Sequence, residues 1–193
     1  ESDFPYTLIE GNVVDDIFPE MFVGRISVRN SSELQTVVNK IIGYEKAYAG
    51  IEDWLTTTAL VGDPYDSGIS TVISNQYIEQ LMDNYGVENI NTQYSGSNFD
   101  TFMRNQINSG ISFLNYRGFY GFSNFNQNDI SQLNNGYKLP FISTLTCGVN
   151  SFSSDNESIV EALLRAGSVS SPSGAVAVVG TSESYTHTAF NNI

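Results

Sequence analysis

From Trp54 onward the chain alternates short apolar runs with amphipathic helical spacing, and that rhythm restricts the architectures open to it. Thr57–Val61, Ile90–Tyr94, Ile111–Tyr116, Leu139–Thr146 and Gly174–Val179 read as strands. Between them, Ile73, Tyr77, Ile78, Leu81, Met82 and Tyr85 recur at helical spacing. Phe99, Phe102, Met103 and Ile107 do the same, as do Ile159, Val160, Leu163 and Leu164. Strands alternating with helices bury both faces of a parallel sheet, and right-handed crossovers then fix most of the topology. The expected fold is an α/β, three-layer domain with a central, mostly parallel β-sheet flanked by helices.

Polar residues punctuate this pattern. Ser97 or Asn98 reads as a helix N-cap, and Ser32 with Gln35 and Ser154 with Glu157 have capping-box spacing. A short helix is expected near Asp129 to Leu133. Upstream, Tyr6–Ile9 and Met21–Val28 read as two more strands. Leu34, Val37, Val38, Ile41, Ile42 and Tyr48 mark a helix from Asn30 to about Ala49. The chain then divides into N-terminal strands with a connecting helix (1–53) and a catalytic-type subdomain (54–193). It begins without methionine and stops just after an apparent helix start, which reads as one continuous fragment of a larger protein. The remaining domains of that protein would be its partners.

Charge narrows the partners further. Twenty-one acidic residues against eight basic ones give a net charge of -13. That balance excludes nucleic acid and an anionic membrane surface, and it suits divalent cations, basic peptides or a salty environment. A 40% hydrophobic content is enough for a core. No apolar run approaches about 18 residues, so membrane insertion is not expected. The single cysteine precludes an internal disulfide.

That cysteine, Cys147, follows the fourth strand-like run, and α/β folds gather their chemistry at the carboxyl ends of strands. It reads either as a nucleophile or as a small buried apolar residue. Gly148 lets a backbone approach closely, and the N–H groups beside Cys147 would serve as oxyanion donors. The single histidine, His187, follows the last strand. It reads as a base or substrate contact, or as a surface residue in the first turn of a helix. Asp63, in a Gly-Asp-Pro turn, would orient a base or bind a cation, or simply make the turn. Arg117 would hold a substrate carboxylate or pair with a local acid such as Asp63. Asp66, Asp155 and Glu157 are candidate Ca²⁺ ligands or a solvated face, with no EF-hand spacing among them. Zinc is not expected without a Cys/His cluster, and the glycines near Gly118 do not make a phosphate loop.

Glu10-Gly11, Phe22 to Ser27, Ile42 to Glu45, Leu114 to Tyr116, Leu139 to Ile142, Thr146-Cys147, Glu161 to Arg165 and Gly174 to Val178 together resemble the gingipain family of cysteine peptidases, in order across nearly the whole chain. The resemblance implies a caspase-like fold and secretion from a bacterium, to the medium or the cell surface. It also implies a protein or peptide substrate, no cofactor for the chemistry and a structural Ca²⁺. Cys147 matches the family's nucleophile, and Asp63 lies near the acid that supports the histidine. The histidine normally stands in an Asn-Tyr-x-Gly-His-Gly stretch. Here Phe119 takes its place within Asn115 to Gly121, with one residue inserted. Phenylalanine can neither accept nor donate a proton. Two functional readings follow. One is an extracellular cysteine endopeptidase with His187 as the remaining base. The other is an inactive pseudo-peptidase, gripping a peptide or glycan through an aromatic rim of Phe119, Tyr120, Phe122, Phe125 and Tyr185, with Arg117 and Gly118 beside it; the same rings read equally as local packing of a long loop.

Overall fold

A computed structural model describes residues 3–12, 15–16, 18–50 and 53–183. Its centre is a five-stranded sheet of β1 (Thr57–Gly62), β2 (Asn89–Gln93), β3 (Phe113–Arg117), β4 (Phe141–Thr144) and β5 (Ala177–Gly180), in the order β2-β1-β3-β4-β5. Every neighbouring pair is parallel. Helices α1 (Ser31–Glu45), α2 (Ser70–Asn84), α3 (Phe99–Ser109), α4 (Gln127–Ser131) and α5 (Ile159–Arg165) complete the expected layers. Ala59, Val61, Leu114, Tyr116 and Ile142 of the sheet pack with Met103, Ile107, Ile111 and Leu163 in one core. The central strands are buried on both faces, which explains their unbroken apolar runs.

Two helices turn a face to the core that their apolar spacing does not mark. In α2 the residues Ile73, Tyr77, Leu81 and Tyr85 are exposed, while Thr71, Val72 and Asn75 are buried. Close backbone approach decides this. A Cβ on Gly62 would lie 2.8 Å from the Thr71 carbonyl oxygen, so the helix rests directly on β1. Polar groups then complete the contact. Asn75 Nδ2 donates to the Val61 carbonyl at 3.0 Å, and Asn115 Nδ2 donates to Asn75 Oδ1 at 2.8 Å. A buried amide with its partners in place is worth keeping, because stranding such groups costs about 1–3 kcal/mol.

Helix α1 makes the same exchange. Leu34, Val38 and Ile42 face outward, and Thr36, Val37, Lys40 and Gly43 are buried. Gly43 makes room for the Tyr137 ring, which would stand 2.1 Å from a Cβ there. The Lys40 ammonium, 1% exposed, donates to the Leu164 carbonyl at 2.8 Å and to those of Leu163 and Ala166 at 3.3 and 3.4 Å. It thereby satisfies the carbonyls at the end of α5 and sits favourably on that helix dipole.

Several caps and ends differ from the pattern-based expectation. Within the run Asn30 to Ser32, Asn30 is the residue that caps α1, accepting from the Glu33 N–H at 3.0 Å, rather than Ser32 in a box with Gln35. The capping box of α5 is Ser158 with Glu161, four residues beyond Ser154 and Glu157. Helix α1 stops at Glu45, and Tyr48 lies beyond it. The expected strand Tyr6–Ile9 is a 3₁₀ turn, Phe4–Thr7, with Pro5 in its first positions. Residues 22–28 form no strand. They are held by side chains: Arg25 lies over the Phe152 ring and pairs with Asp3, and Ser27 meets Glu161 and Arg165.

Burial pulls the Lys40 pKa down from 10.5 to about 7. The unfolded chain therefore binds the extra proton between about pH 7 and 10.5, and stability from this residue rises with pH through that window. Urea denaturation at pH 7 and pH 9.5 should show the rise in the native chain and lose it in Lys40→Met. At pH 9.5 the variant should be about 1–3 kcal/mol less stable, as the α5 carbonyls lose their donor.

Candidate active site

Parallel pairing carries the ends of β1, β3 and β4 to one edge, with Gly62 opposite Arg117 and Tyr116 opposite Thr144. Asp63, the Arg117–Asn124 loop and Cys147 emerge there. Next to this edge is a cleft of about 570 Å³, walled by Asp63, Asp66, Tyr65, Tyr116, Phe119 and Tyr120 among others. Among the described residues no lysine or arginine lines it, so its character there is aromatic and acidic.

Asp63 is fixed on every side. Its carbonyl accepts from Thr71 Oγ1 at 2.8 Å, its N–H donates to the Arg117 carbonyl at 2.8 Å, and its Oδ1 accepts from the Tyr65 N–H at 2.9 Å. Ser123 Oγ donates to Asp63 Oδ2 and accepts from the Tyr116 hydroxyl, the latter at 2.8 Å. Burial raises the Tyr116 pKa and the Asp63 charge adds to this, against the opposing hydrogen bond with Ser123. The phenol stays protonated at neutral pH and remains a donor. Ser123 and Asn124 adopt positive φ, 45° and 65°. The loop bears that unfavourable backbone to aim Ser123 at Asp63.

Cys147 is 7% exposed and lies behind this wall rather than in it. Tyr120 is the partition. It pairs with Cys147 as an isolated parallel bridge, and the Gly121 N–H donates to the Cys147 carbonyl at 2.9 Å. The Tyr120 ring lies against Gly148, where a Cβ would come within 2.8 Å of Cζ. Gly148 has φ of +75°, so it needs glycine for its backbone as well as for the ring. Its N–H, an expected oxyanion donor, donates to the Glu183 carbonyl at 3.2 Å.

The other anticipated residues scatter. Phe119 lines the cleft and is half exposed, at the position that the resemblance gives to histidine. Gly118 is pressed against Tyr116, whose hydroxyl would stand 2.3 Å from a Cβ. Arg117 is no carboxylate clamp at the cleft. It is 2% exposed, and its Nη1 donates to the Leu145 carbonyl at 2.6 Å. Phe122 and Phe125 belong to the core rather than to an exposed rim, with Phe122 edge-to-face against both Tyr116 and Phe125. His187 and Tyr185 lie outside the described residues.

Of the acids weighed for Ca²⁺, Asp66 borders the cleft at φ +60°. Glu157 is committed to Arg165 at 2.8 Å and Arg29 at 3.2 Å, and Asp155 is exposed. The described residues hold no group of three or more His, Cys, Asp or Glu suited to a metal ion. Tyr116 is the tyrosine of the Asn-Tyr-x-Gly stretch but has no role assigned by it, and Ser123 carries no sequence signal that marks it for the site. One ends an apolar strand and the other sits in an ordinary polar loop.

A double-mutant cycle measures the Asp63 network. Ser123→Ala should destabilise by about 1–3 kcal/mol, and Tyr116→Phe by less. In thermal or urea unfolding the pair should fall short of additivity by at least about 0.5 kcal/mol. Strict additivity would show that the chain of hydroxyls is not a unit.

Comparison with known proteins bears on this geometry. The family model for Peptidase family C25 matches residues 1–193. The chain is 30% identical over 191 residues to gingipain R2 of Porphyromonas gingivalis, covering 94% of this chain and 26% of that protein. It thus spans about a quarter of that relative's length. The crystal structure of the Arg specific cysteine proteinase gingipain R superposes with a TM-score of 0.84 at 30% identity, over 96% of this chain and 45% of that one. Another solved protease shares the fold at a TM-score of 0.81 and 23% identity, over 95% of this chain and 40% of that one.

Proposed function

This chain belongs to peptidase family C25, and we propose that it is a gingipain-like cysteine endopeptidase unit acting on basic peptides outside a bacterial cell or on its surface. One observation carries the reading. The family's cysteine position, Cys147, ends the segment after β4, directly behind a cleft whose wall offers Asp63, Asp66 and aromatic rings and, among the described residues, no cation. Carboxylates and π faces favour a guanidinium or ammonium group over an acidic one. In the proposed mechanism, Cys147 Sγ attacks the scissile carbonyl to give an acyl-enzyme, the leaving amine departs with a proton, and water releases the acid product. Donors beside Gly148 would hold the oxyanion once the Glu183 carbonyl gives way. His187 is the candidate to move the proton, since Phe119 cannot.

A second reading is favoured by the covering of the thiol. Tyr120 packs on Gly148, the Gly148 N–H is taken, and Phe119 stands where the resemblance would put the histidine. A pseudo-peptidase would keep the cleft for binding and leave Cys147 idle. Losing one member of a catalytic unit typically costs several powers of ten in rate.

Digestion of a mixed peptide library separates the two. The peptidase reading expects cleavage after or near basic residues that vanishes in Cys147→Ala. Equal silence from both proteins, with basic peptides still binding, supports the second reading. In that case Phe119→His, alone or with Tyr120 deleted, is expected to raise cleavage above the native chain, and a folded variant that stays inert would count against the matched position.

A further inference from the structure

We propose that Arg117 is a positioning residue for Cys147: it ties the segment presenting the thiol to the ends of β1 and β3 and holds a positive charge there. This rests on the reading of Cys147 as nucleophile. The Arg117 carbonyl accepts from the Asp63 N–H at 2.8 Å, and its Nη1 donates to the Leu145 carbonyl at 2.6 Å. One residue therefore joins three strand ends. Its backbone continues the β1–β3 pairing to Asp63, and its side chain ties β3 to the Cys147 segment.

The charge is the second part. A guanidinium buried to 2% exposure is costly to keep, and arginine stays protonated even where burial lowers its pKa. Leu145 stands two residues ahead of Cys147, and two residues reach at most about 7 Å. The guanidinium is thus within roughly one Debye length of the Cys147 backbone, about 10 Å at 0.1 M salt. The charged groups at the neighbouring described strand ends are acids, Asp63 after β1 and Glu183 after β5. A cation among them supports negative charge on sulfur and on the attacked carbonyl oxygen.

The test labels Cys147 in the full chain, where the single cysteine makes the product unambiguous. Neutral iodoacetamide and anionic iodoacetate are compared at low salt. In Arg117→Gln, which keeps a donor for Leu145 but no charge, the iodoacetate-to-iodoacetamide rate ratio should fall about threefold or more. Arg117→Lys should restore it. A purely structural arginine would change both rates together and leave the ratio alone. A folded Arg117→Gln with the native ratio overturns the proposal. If that variant does not fold, Arg117→Met, of similar length and without charge, decides by the same ratio, and a native ratio there overturns the proposal. The readout does not depend on turnover. A ratio that responds in a chain that cleaves no peptide supports the positioning role and sinks the peptidase reading. Cleavage with an unresponsive ratio does the reverse.

Discussion

Parallel pairing of β1, β3 and β4 is the constraint from which the rest follows. It stacks Ala59 beside Leu114 and Leu114 beside Ile142, so the core forms across the sheet. It also sends three carboxyl ends to the same edge. Residues more than 80 positions apart in the chain, Asp63 and Cys147, thereby become neighbours of one loop. That loop, 117–125, is held at its start by Arg117, at its middle by the Cys147 bridge and at Ser123 by Asp63.

Polar groups inside the fold do the orienting. Asn75 and Asn115 pin α2 to β1 and β3, and Lys40 pins α1 to the end of α5. Arg165 gathers Glu157 and Glu161 with Ser27, anchoring the N-terminal segment against α5. Burial works against Glu161 ionising, yet hydrogen bonds from Ser27 and Ser158 and the Arg165 charge hold its pKa below the ordinary range. Each of these groups is costly to bury alone and acceptable only with its partners in place. Such networks fix which packing is adopted among several that would hide similar apolar area.

The chain keeps the fold of the solved gingipain R structure, with a TM-score of 0.84. At the cleft, Phe119 stands at the position that the resemblance gives to histidine, and the Tyr120 ring lies against Gly148. An aromatic ring at such a position fills volume but carries no proton. The fold needs only apolar volume and a tolerated turn at these positions, whereas acid–base work needs a titratable nitrogen within hydrogen-bond reach.

The strands, their parallel alternation with helices and the placing of Cys147 at a strand end were legible in the sequence. Periodicity and apolar runs report local geometry directly. The burial of Lys40 and Asn75 in place of Leu34 and Ile73, the chain Tyr116–Ser123–Asp63, and the withdrawal of Arg117 from the cleft were not. A helical period tells that a helix forms, but both sides of α1 and α2 carry apolar residues. The Tyr137 ring seated on Gly43 and the backbone approach at Gly62 select the side that packs. Hydrogen bonds between residues 40 to 123 positions apart exist only after the sheet has closed the distance, and no local pattern encodes them.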